Sequence, residues 1–311
     1  MNSLEARPKL SVVVVCYEMT AQIKNTLRSL LPSYQRGVET TDYEIILIDN
    51  GSAKIMDDET RTISPNLQYV YVPPSDSSPN PALAMNRAAA LARAPLLCLM
   101  IDGARMLTPG VLSWGMRLLE LTPGAMVEVR GWHLGPKWQP ESVAEGYNHD
   151  IESQLLDQVR WWENGYRLFD ISAGSAQTKL GISQPASESN CLFVSRVLFN
   201  RLGGFDERYE EPGGGLVNLD FYARAVAAAD HVWTLLGEGT FHQVHGGAAT
   251  SLSLAELRLA IIRWKAESSR LRGPLPPIDP TKFILAGHIP REFQAWLNRT
   301  AGTQQIRPFP V

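Results

Sequence analysis

The stretch from Leu96 to Asp102 constrains the fold more than any other part of the sequence. Six apolar residues follow Pro95 without interruption and end at the carboxylate of Asp102. A short, continuous apolar run of this kind is typical of a strand buried on both faces, as in a parallel sheet. Asp102 then lies at the carboxyl end of that strand, the edge at which open α/β sheets bind ligands. An aspartate can also simply cap a turn, so the residues upstream decide between the two interpretations.

Strands and helices are predicted to alternate along the first third of the chain. Apolar runs predict further strands over residues 10–16, 43–48 and 67–72. Helices are predicted over residues 20–31, where apolar side chains recur with helical spacing, and over the alanine-rich residues 82–94. This order predicts an α/β fold with a doubly wound, mainly parallel central sheet flanked by helices.

Composition excludes several classes of protein. Lys and Arg number 29 against 32 Asp and Glu, so no overall basic surface for nucleic acid is expected. No apolar run approaches the roughly 20 residues that span a membrane, and the N-terminus has no apolar signal region. Cys16, Cys98 and Cys191 are far apart, and two lie in apolar runs, which favours buried thiols over disulfides or a zinc cluster. We therefore expect a cytoplasmic protein without disulfides.

The two common glycine-rich phosphate motifs are absent. No G-x-G-x-x-G follows the first predicted strand, and no G-x-x-x-x-G-K-[ST] occurs in the chain. If the chain binds a nucleotide, groups other than a glycine-rich loop must neutralise its phosphates. A metal-dependent nucleotidyltransferase is also disfavoured, because residues 16–19 contain neither the glycine nor the basic residue that its phosphate loop would need.

An ordered set of motifs resembles the family 2 glycosyltransferases, which have the GT-A fold. The set comprises Tyr17, Asp49-Asn50-Gly51-Ser52, Asn86, Asp102, CLFVSR at 191–196, RLGGFDE at 201–207, DFYAR at 220–224, and His245 followed by Ser251. The resemblance covers roughly residues 9–255. It implies transfer of a sugar, with inversion, from a nucleotide-diphosphate sugar of the UDP or GDP type to a glycan or small-molecule acceptor.

The resemblance implies donor-binding roles for five residues. Asp49 would accept hydrogen bonds from the nucleobase, Tyr17 would stack on it, and Glu18 would bind the base or the ribose. Asn86 and Arg87 begin the segment nearest the sugar, where an arginine can bind phosphate or sugar. The residues also have plain structural interpretations: turn chemistry for Asp49, core packing for Tyr17 and an exposed helix face for Arg87.

The sequence departs from the family pattern just after Asp102. The resemblance implies an Asp-x-Asp whose second carboxylate binds a divalent cation, but Ala104 stands there. Either Asp102 and His245 bind Mg²⁺ or Mn²⁺ with diphosphate and water oxygens, which we favour, or Arg105 supplies the positive charge. Side chains at i and i+3 of an extended chain point to opposite sides, so His242 need not share a ligand with His245.

A second departure concerns the catalytic base, the carboxylate that takes the proton of the acceptor hydroxyl. The family carries an acidic pair where this chain has Val217 and Asn218. The remaining candidates are Asp220, Glu210, Glu211 and Glu188, of which we favour Glu211 and Asp220. Asp220 could instead cap a helix. These departures leave a second hypothesis, a catalytically degenerate nucleotide-sugar or glycan-binding protein of the same fold.

The domain organisation is predicted as follows. Residues 1–255 form a GT-A-like domain, with residues 9–105 as the nucleotide-sugar-binding half and residues 106–255 as the acceptor half, and residues 256–311 form a C-terminal helical extension. A helix is predicted over residues 150–167, where Trp161, Trp162 and Tyr166 form either an acceptor platform or core.

Overall fold

The computed structural model describes residues 7–178, 181–246 and 252–301, except the side chains of Leu254 and Ala301. Twelve strands lie in these ranges: β1 Leu10–Cys16, β2 Tyr43–Asn50, β3 Leu67–Val72, β4 Leu96–Met100, β5 Arg105–Leu107, β6 Met126–Glu128, β7 Gly131–Leu134, β8 Ser172–Gly174, β9 Leu192–Ser195, β10 Val232–Leu236, β11 Thr240–His242 and β12 Phe283–Gly287. Ten α-helices lie in them: α1 Thr20–Ser29, α2 Asp58–Arg61, α3 Ala82–Leu91, α4 Val111–Leu121, α5 Gln139–Ala144, α6 His149–Val159, α7 Arg196–Arg201, α8 Val217–Ala228, α9 Leu254–Arg272 and α10 Arg291–Ala301.

The central sheet has eight strands in the order β12-β10-β6-β9-β4-β1-β2-β3. All neighbouring strands run parallel except β9, which is antiparallel to both β4 and β6. The predicted α/β class and the mainly parallel sheet are therefore confirmed. This topology brings the carboxyl ends of the parallel strands and the first residue of β9 to one edge of the sheet.

Burial on both faces explains why the central strands form. Every residue of β1 is buried, and alternate side chains enter two separate cores: Val13 and Val15 one, Val12 and Val14 the other. Such strands read as continuous apolar runs because neither face meets water. The three cysteines are buried, as predicted, and are not joined in disulfides; the Sγ atoms of Cys98 and Cys191 are hydrogen-bonded at 3.6 Å.

A second, four-stranded sheet in the order β5-β11-β7-β8 lies beyond the carboxyl end of β4. The strands β5 and β11 are antiparallel, and β11 and β7 are parallel. Its aromatic core includes Trp132, Phe169, Phe241, Phe293 and Trp296. This sheet matters for function because β5 and β11 both carry side chains toward Asp102.

The predicted helix over residues 150–167 is interrupted. The helix α6 ends at Val159 because Arg160 adopts a left-handed conformation, with φ of 48°. Trp161 and Tyr166 are buried in the aromatic core, whereas the side chain of Trp162 is half exposed. The hypothesis of a three-residue aromatic platform is therefore wrong for Trp161 and Tyr166, because burial in the core removes their ring faces from any acceptor.

The C-terminal segment, predicted to be a helical extension, contains two helices and one unexpected strand. The helices are α9 and α10, and β12 between them pairs with β10 along its whole length. Lys282, just before β12, donates to the carbonyl oxygens of Val226, Ala227 and Ala229 at the end of α8. The predicted division at residue 255 stays a prediction. No helix in the described ranges is long and apolar enough to cross a membrane.

Candidate active site

Asp102 lies in the tight turn that follows β4 at the carboxyl edge of the sheet. One carboxylate oxygen, Oδ1, accepts a hydrogen bond from the Ala104 N–H at 3.0 Å. Thr26 Oγ1 donates to the Gly103 carbonyl at 2.7 Å. A Cβ at position 103 would lie 2.8 Å from the Val15 carbonyl oxygen, so the turn can approach β1 this closely only with glycine. The Asp102 side chain is thus held in one place while remaining 18% exposed.

Three further polar side chains converge on Asp102. Arg105 Nε donates to Asp102 Oδ2 at 3.1 Å, and His242 Nε2 lies 3.0 Å from the same oxygen. His245 Nε2 lies 3.8 Å from Oδ1 and 3.1 Å from His242 Nε2. The register of the second sheet explains the meeting, because His242 on β11 pairs directly with Arg105 on β5.

The expectation that His242 and His245 point to opposite sides is wrong. It assumed an extended chain, but β11 ends at His242 and the next residues turn. The Gln243 N–H binds the Ala104 carbonyl at 2.9 Å, and the Val244 N–H binds Glu152 Oε2 at 2.8 Å. These two contacts fold residues 242–245 so that both imidazoles face Asp102.

Burial and charge fix the protonation states of the cluster. Burial lowers the pKa of His242 to about 4, with the Arg105 charge acting in the same direction against the attraction of Asp102. Burial also lowers the pKa of His245. For Asp102, burial opposes ionisation, but His242 and Arg105 outweigh it and hold the pKa well below its usual value. At neutral pH the cluster therefore offers one carboxylate and two neutral imidazoles.

These groups fit a divalent cation. Three ligand atoms, from Asp102, His242 and His245, lie within 4.8 Å of one another. Ligands at right angles around an ion and about 2.1 Å from it stand about 3 Å apart, close to the two shortest distances here. His242 Nδ1 donates to Gln139 Oε1 at 2.5 Å, which leaves the Nε2 lone pair facing the cluster. The sequence left two sources of positive charge open, a divalent cation and Arg105. In the structure the possible metal ligands and Arg105 lie beside the same carboxylate, that of Asp102.

Sequence reasoning missed Gln139 and His133, and it did not expect His242 to share a ligand with His245. Gln139 begins α5, and its backbone N–H binds His133 Nδ1 at 3.0 Å. Burial lowers the pKa of His133 well below its usual value, so this ring is neutral. The one sequence signal was the His-x-x-His spacing, whereas nothing in the sequence pairs Gln139 with a histidine from a distant strand.

The ends of β1 and β2 carry three of the residues to which the sequence assigned donor binding, Tyr17, Glu18 and Asp49. Cys16 pairs with Asp49 in the register of these strands. Glu18, which has a φ of 51°, accepts from the Ala53 N–H at 2.7 Å and donates its own N–H to Ser52 Oγ at 2.8 Å. The ring of Tyr17 is 57% exposed and can accept a stacked base. The alternative interpretation, that Tyr17 packs in the core, is therefore wrong.

Asp49 and Asn86 both make structural hydrogen bonds. Asp49 is fully buried, and its carboxylate accepts from the Ser52 N–H and the Tyr69 hydroxyl, each at 3.1 Å. The Asn86 amide bonds to both the N–H and the carbonyl of Phe205. Asn86 thereby fixes the Gly-Gly-Phe-Asp-Glu loop to α3, while its neighbour Arg87 is exposed. Donor contacts of Asp49, Asn86 and Arg87 stay predictions.

The two favoured base candidates lie in arginine ion pairs. Asp220 is buried inside the first turns of α8 instead of capping it, 2.7 Å from Arg224 Nη2 and 3.3 Å from Arg272 Nε. Glu211 Oε1 lies 3.4 Å from Arg263 Nε. Within the described ranges, neither belongs to the group of possible metal ligands at Asp102. Their role as base stays a prediction, and Ser251 lies outside the described residues.

Comparison with known proteins supports the fold assignment. No family model matches the chain. Validoxylamine A glucosyltransferases of Streptomyces hygroscopicus subsp. jinggangensis (strain 5008) and subsp. limoneus are each 25% identical over 79% of this chain, which spans 59% and 55% of their lengths. The chain thus covers less than two thirds of these relatives.

A solved structure of similar fold is that of Staphylococcus aureus TarS residues 1–349 in complex with UDP-GlcNAc. It superposes with a TM-score of 0.51 at 15% identity, over 84% of this chain and 66% of TarS. The structure of the same TarS fragment without a named ligand gives a TM-score of 0.50 at 13% identity, over 85% of this chain and 72% of that fragment. The GT-A-type fold expected from the sequence is therefore confirmed.

Proposed function

We propose that this chain is a glycosyltransferase that moves a sugar from a nucleotide-diphosphate sugar to a hydroxyl group of an acceptor, with inversion. The observation that carries the proposal is the convergence of Asp102, Arg105, His242 and His245 at the carboxyl edge of a GT-A-type sheet. Tyr17 is exposed at the end of the neighbouring strand β1. A donor lying along this edge would place its base on Tyr17 and its diphosphate at the cluster.

The cluster suits a diphosphate because it can concentrate positive charge. A divalent cation held by Asp102, His242 and His245 would screen the diphosphate oxygens and the charge that develops on the leaving group. Arg105 is buried and adds a fixed positive charge beside the same carboxylate. We infer that the metal is Mn²⁺ or Mg²⁺, and that Arg105 orients Asp102 and contributes to the binding of phosphate.

The relatives guide the choice of donors and acceptors to test. The Streptomyces relatives are named for glucosyl transfer to validoxylamine A, and TarS was crystallised with UDP-GlcNAc. We therefore propose a UDP- or GDP-sugar as donor and a glycan or small molecule as acceptor. We also propose that this chain is a member of the family 2 glycosyltransferases.

Calorimetric titration of the full chain tests the proposal. UDP-, GDP- and dTDP-sugars are each titrated with Mn²⁺, with Mg²⁺ and with EDTA, against Asp102→Ala, His245→Ala and Arg105→Ala. Glu120→Ala, an exposed acid on α4, is the matched control. We expect one class of donor to bind with metal, affinity to fall at least tenfold in the cluster variants, and the control to behave as wild type.

Two outcomes separate the alternatives. If donor binding is unchanged by EDTA but lost in Arg105→Ala, the positive charge at the diphosphate comes from Arg105 and not from a metal ion. Binding of a donor without release of its nucleoside diphosphate, either in water or with validoxylamine A present, would favour the catalytically degenerate binding protein. If no donor binds, the proposed function is wrong and the chain shares only a fold with these enzymes.

A further inference from the structure

The carboxylate of Glu188 is bound by an amide at the start of α8. Asn218 Nδ2, in the first turn of that helix, donates to Glu188 Oε2 at 3.1 Å and to Asn190 Oδ1 at 3.2 Å. Among the described residues, Asn218 is the one hydrogen-bond partner of this carboxylate. Glu188 is only partly buried, so its second oxygen can reach a ligand.

The sheet topology places Glu188 at the same edge as Asp102. The strand β9 runs opposite to β4, and Leu192 pairs with Leu99. Residues just before β9 therefore lie beside those just after β4, which include Asp102. The helix α8 leads into β10, which runs parallel to β6 and in the same direction as β4. A helix that precedes such a strand begins at the strand's carboxyl edge, so Asn218 lies there too.

The two base candidates favoured from the sequence, Asp220 and Glu211, are both engaged by cations. Asp220 is buried between Arg224 and Arg272, and Glu211 is paired with Arg263. Glu188 instead faces a neutral amide, which orients a carboxylate without neutralising it. This difference favours Glu188 over Asp220 and Glu211 as the carboxylate that takes the proton.

We propose that Glu188 is the catalytic base of the transfer and that Asn218 is its positioning residue. The inference rests on the proposed function. As the acceptor oxygen forms its bond to C1 of the donor sugar, Glu188 takes the hydroxyl proton. The bond from C1 to the phosphate oxygen breaks, and its electron pair leaves with the nucleoside diphosphate. The carboxylate comes from the loop before β9, and the helix contributes only the amide that holds it.

A carboxylate exchange tests the assignment in the full chain. The donor is the nucleotide sugar that binds in the titration, and turnover is measured as nucleoside diphosphate released with water or validoxylamine A as acceptor. In Glu188→Gln we expect turnover to fall at least a hundredfold, as for loss of a general base, while the donor Kd stays within about twofold. Ser187→Ala, an exposed neighbour, is the control and should keep wild-type turnover.

The double variant Glu188→Ala/Asn218→Asp distinguishes chemistry from structure. It moves the carboxylate from residue 188 to residue 218, the other partner of the 3.1 Å hydrogen bond. The turnover of the double variant should therefore be at least tenfold higher than that of Glu188→Ala. A purely structural role would not be rescued this way. Full turnover in Glu188→Gln, or a double variant no better than Glu188→Ala, would overturn the assignment.

The proposed function fails in a different way. If wild-type protein binds no donor, both proposals are wrong. If it binds a donor and releases no nucleoside diphosphate, donor binding survives but the base assignment is overturned. Loss of donor binding in Glu188→Gln would move this residue into the donor site and also overturn its role as base.

Discussion

Glu152 provides a direct test of how the histidine turn is held. This residue of α6 is 1% exposed, and its Oε2 accepts from both the Val244 N–H and the Tyr147 hydroxyl. Burial raises the pKa of Glu152 to about 8, although these two hydrogen bonds act in the opposite direction. Glu152 is therefore protonated in the native protein at neutral pH, and Glu152→Gln imitates that state without a titrating proton.

The magnitude follows from the two pKa values. The unfolded chain ionises Glu152 near 4.5 and the native protein near 8, so between these values the native state binds the extra proton. Its contribution to stability is complete below pH 4.5 and is lost as the pH rises through about 8. One proton gives a slope of about 1.4 kcal/mol per pH unit, or about 5 kcal/mol over the whole interval. Glu152→Gln has no ionising group at this position, so its free energy of unfolding does not include this fall with pH.

Urea unfolding at pH 5, 6, 7 and 8 measures the difference. The free energy of unfolding of Glu152→Gln minus that of wild type should rise steadily across this range. The subtraction cancels the titration of all groups common to both proteins. Glu141→Gln, an exposed acid on the neighbouring helix α5, should show a constant difference. A difference for Glu152→Gln that does not change from pH 5 to pH 8 would refute the reasoning.

Two further predictions address the site itself. Gln139→Leu removes the acceptor for His242 Nδ1, so titration of the protein with Mn²⁺ alone should show an affinity about 10- to 100-fold lower, and unchanged affinity would contradict a metal site built around His242. Tyr17→Ala removes a mostly exposed ring, so the free energy of unfolding should change by less than about 0.5 kcal/mol while donor affinity falls about tenfold. If Tyr17→Ala bound the donor as tightly as wild type, the nucleobase of the donor would have to lie elsewhere.

The strands of the nucleotide half could be predicted because their pattern is local. The runs that became β1, β3 and β4 are mostly apolar, with only Ser11 in β1 and Gln68 in β3 polar and uncharged, and each strand formed close to where it was expected. The second strand continues to Asn50, so Asp49 ends inside the strand and fully buried, not in an open turn. The sequence therefore indicated the position of Asp49 but not its burial, which depends on the Tyr69 hydroxyl of the neighbouring strand.

The region beyond β4 could be predicted less well because long-range packing overrides local preference there. Helical spacing continues past Val159, yet the helix stops where Arg160 turns left-handed, and Trp161 then packs into the aromatic core, 5.4 Å from the Tyr34 ring between centroids. The strand β12 was missed for a similar reason. Its five residues become a strand only because β10 offers them an unpaired edge.

The sequence by itself determined that a buried parallel strand ends at Asp102 and that a histidine pair follows far downstream. Only the tertiary structure decided that His242 joins His245 at that carboxylate, that Gln139 orients His242, and that Glu188 meets Asn218. The physical reason is range. Burial along a strand leaves a repeating pattern in neighbouring residues, whereas a site assembled across β4, β5, β11 and α5 depends on contacts between distant parts of the chain that no local pattern records.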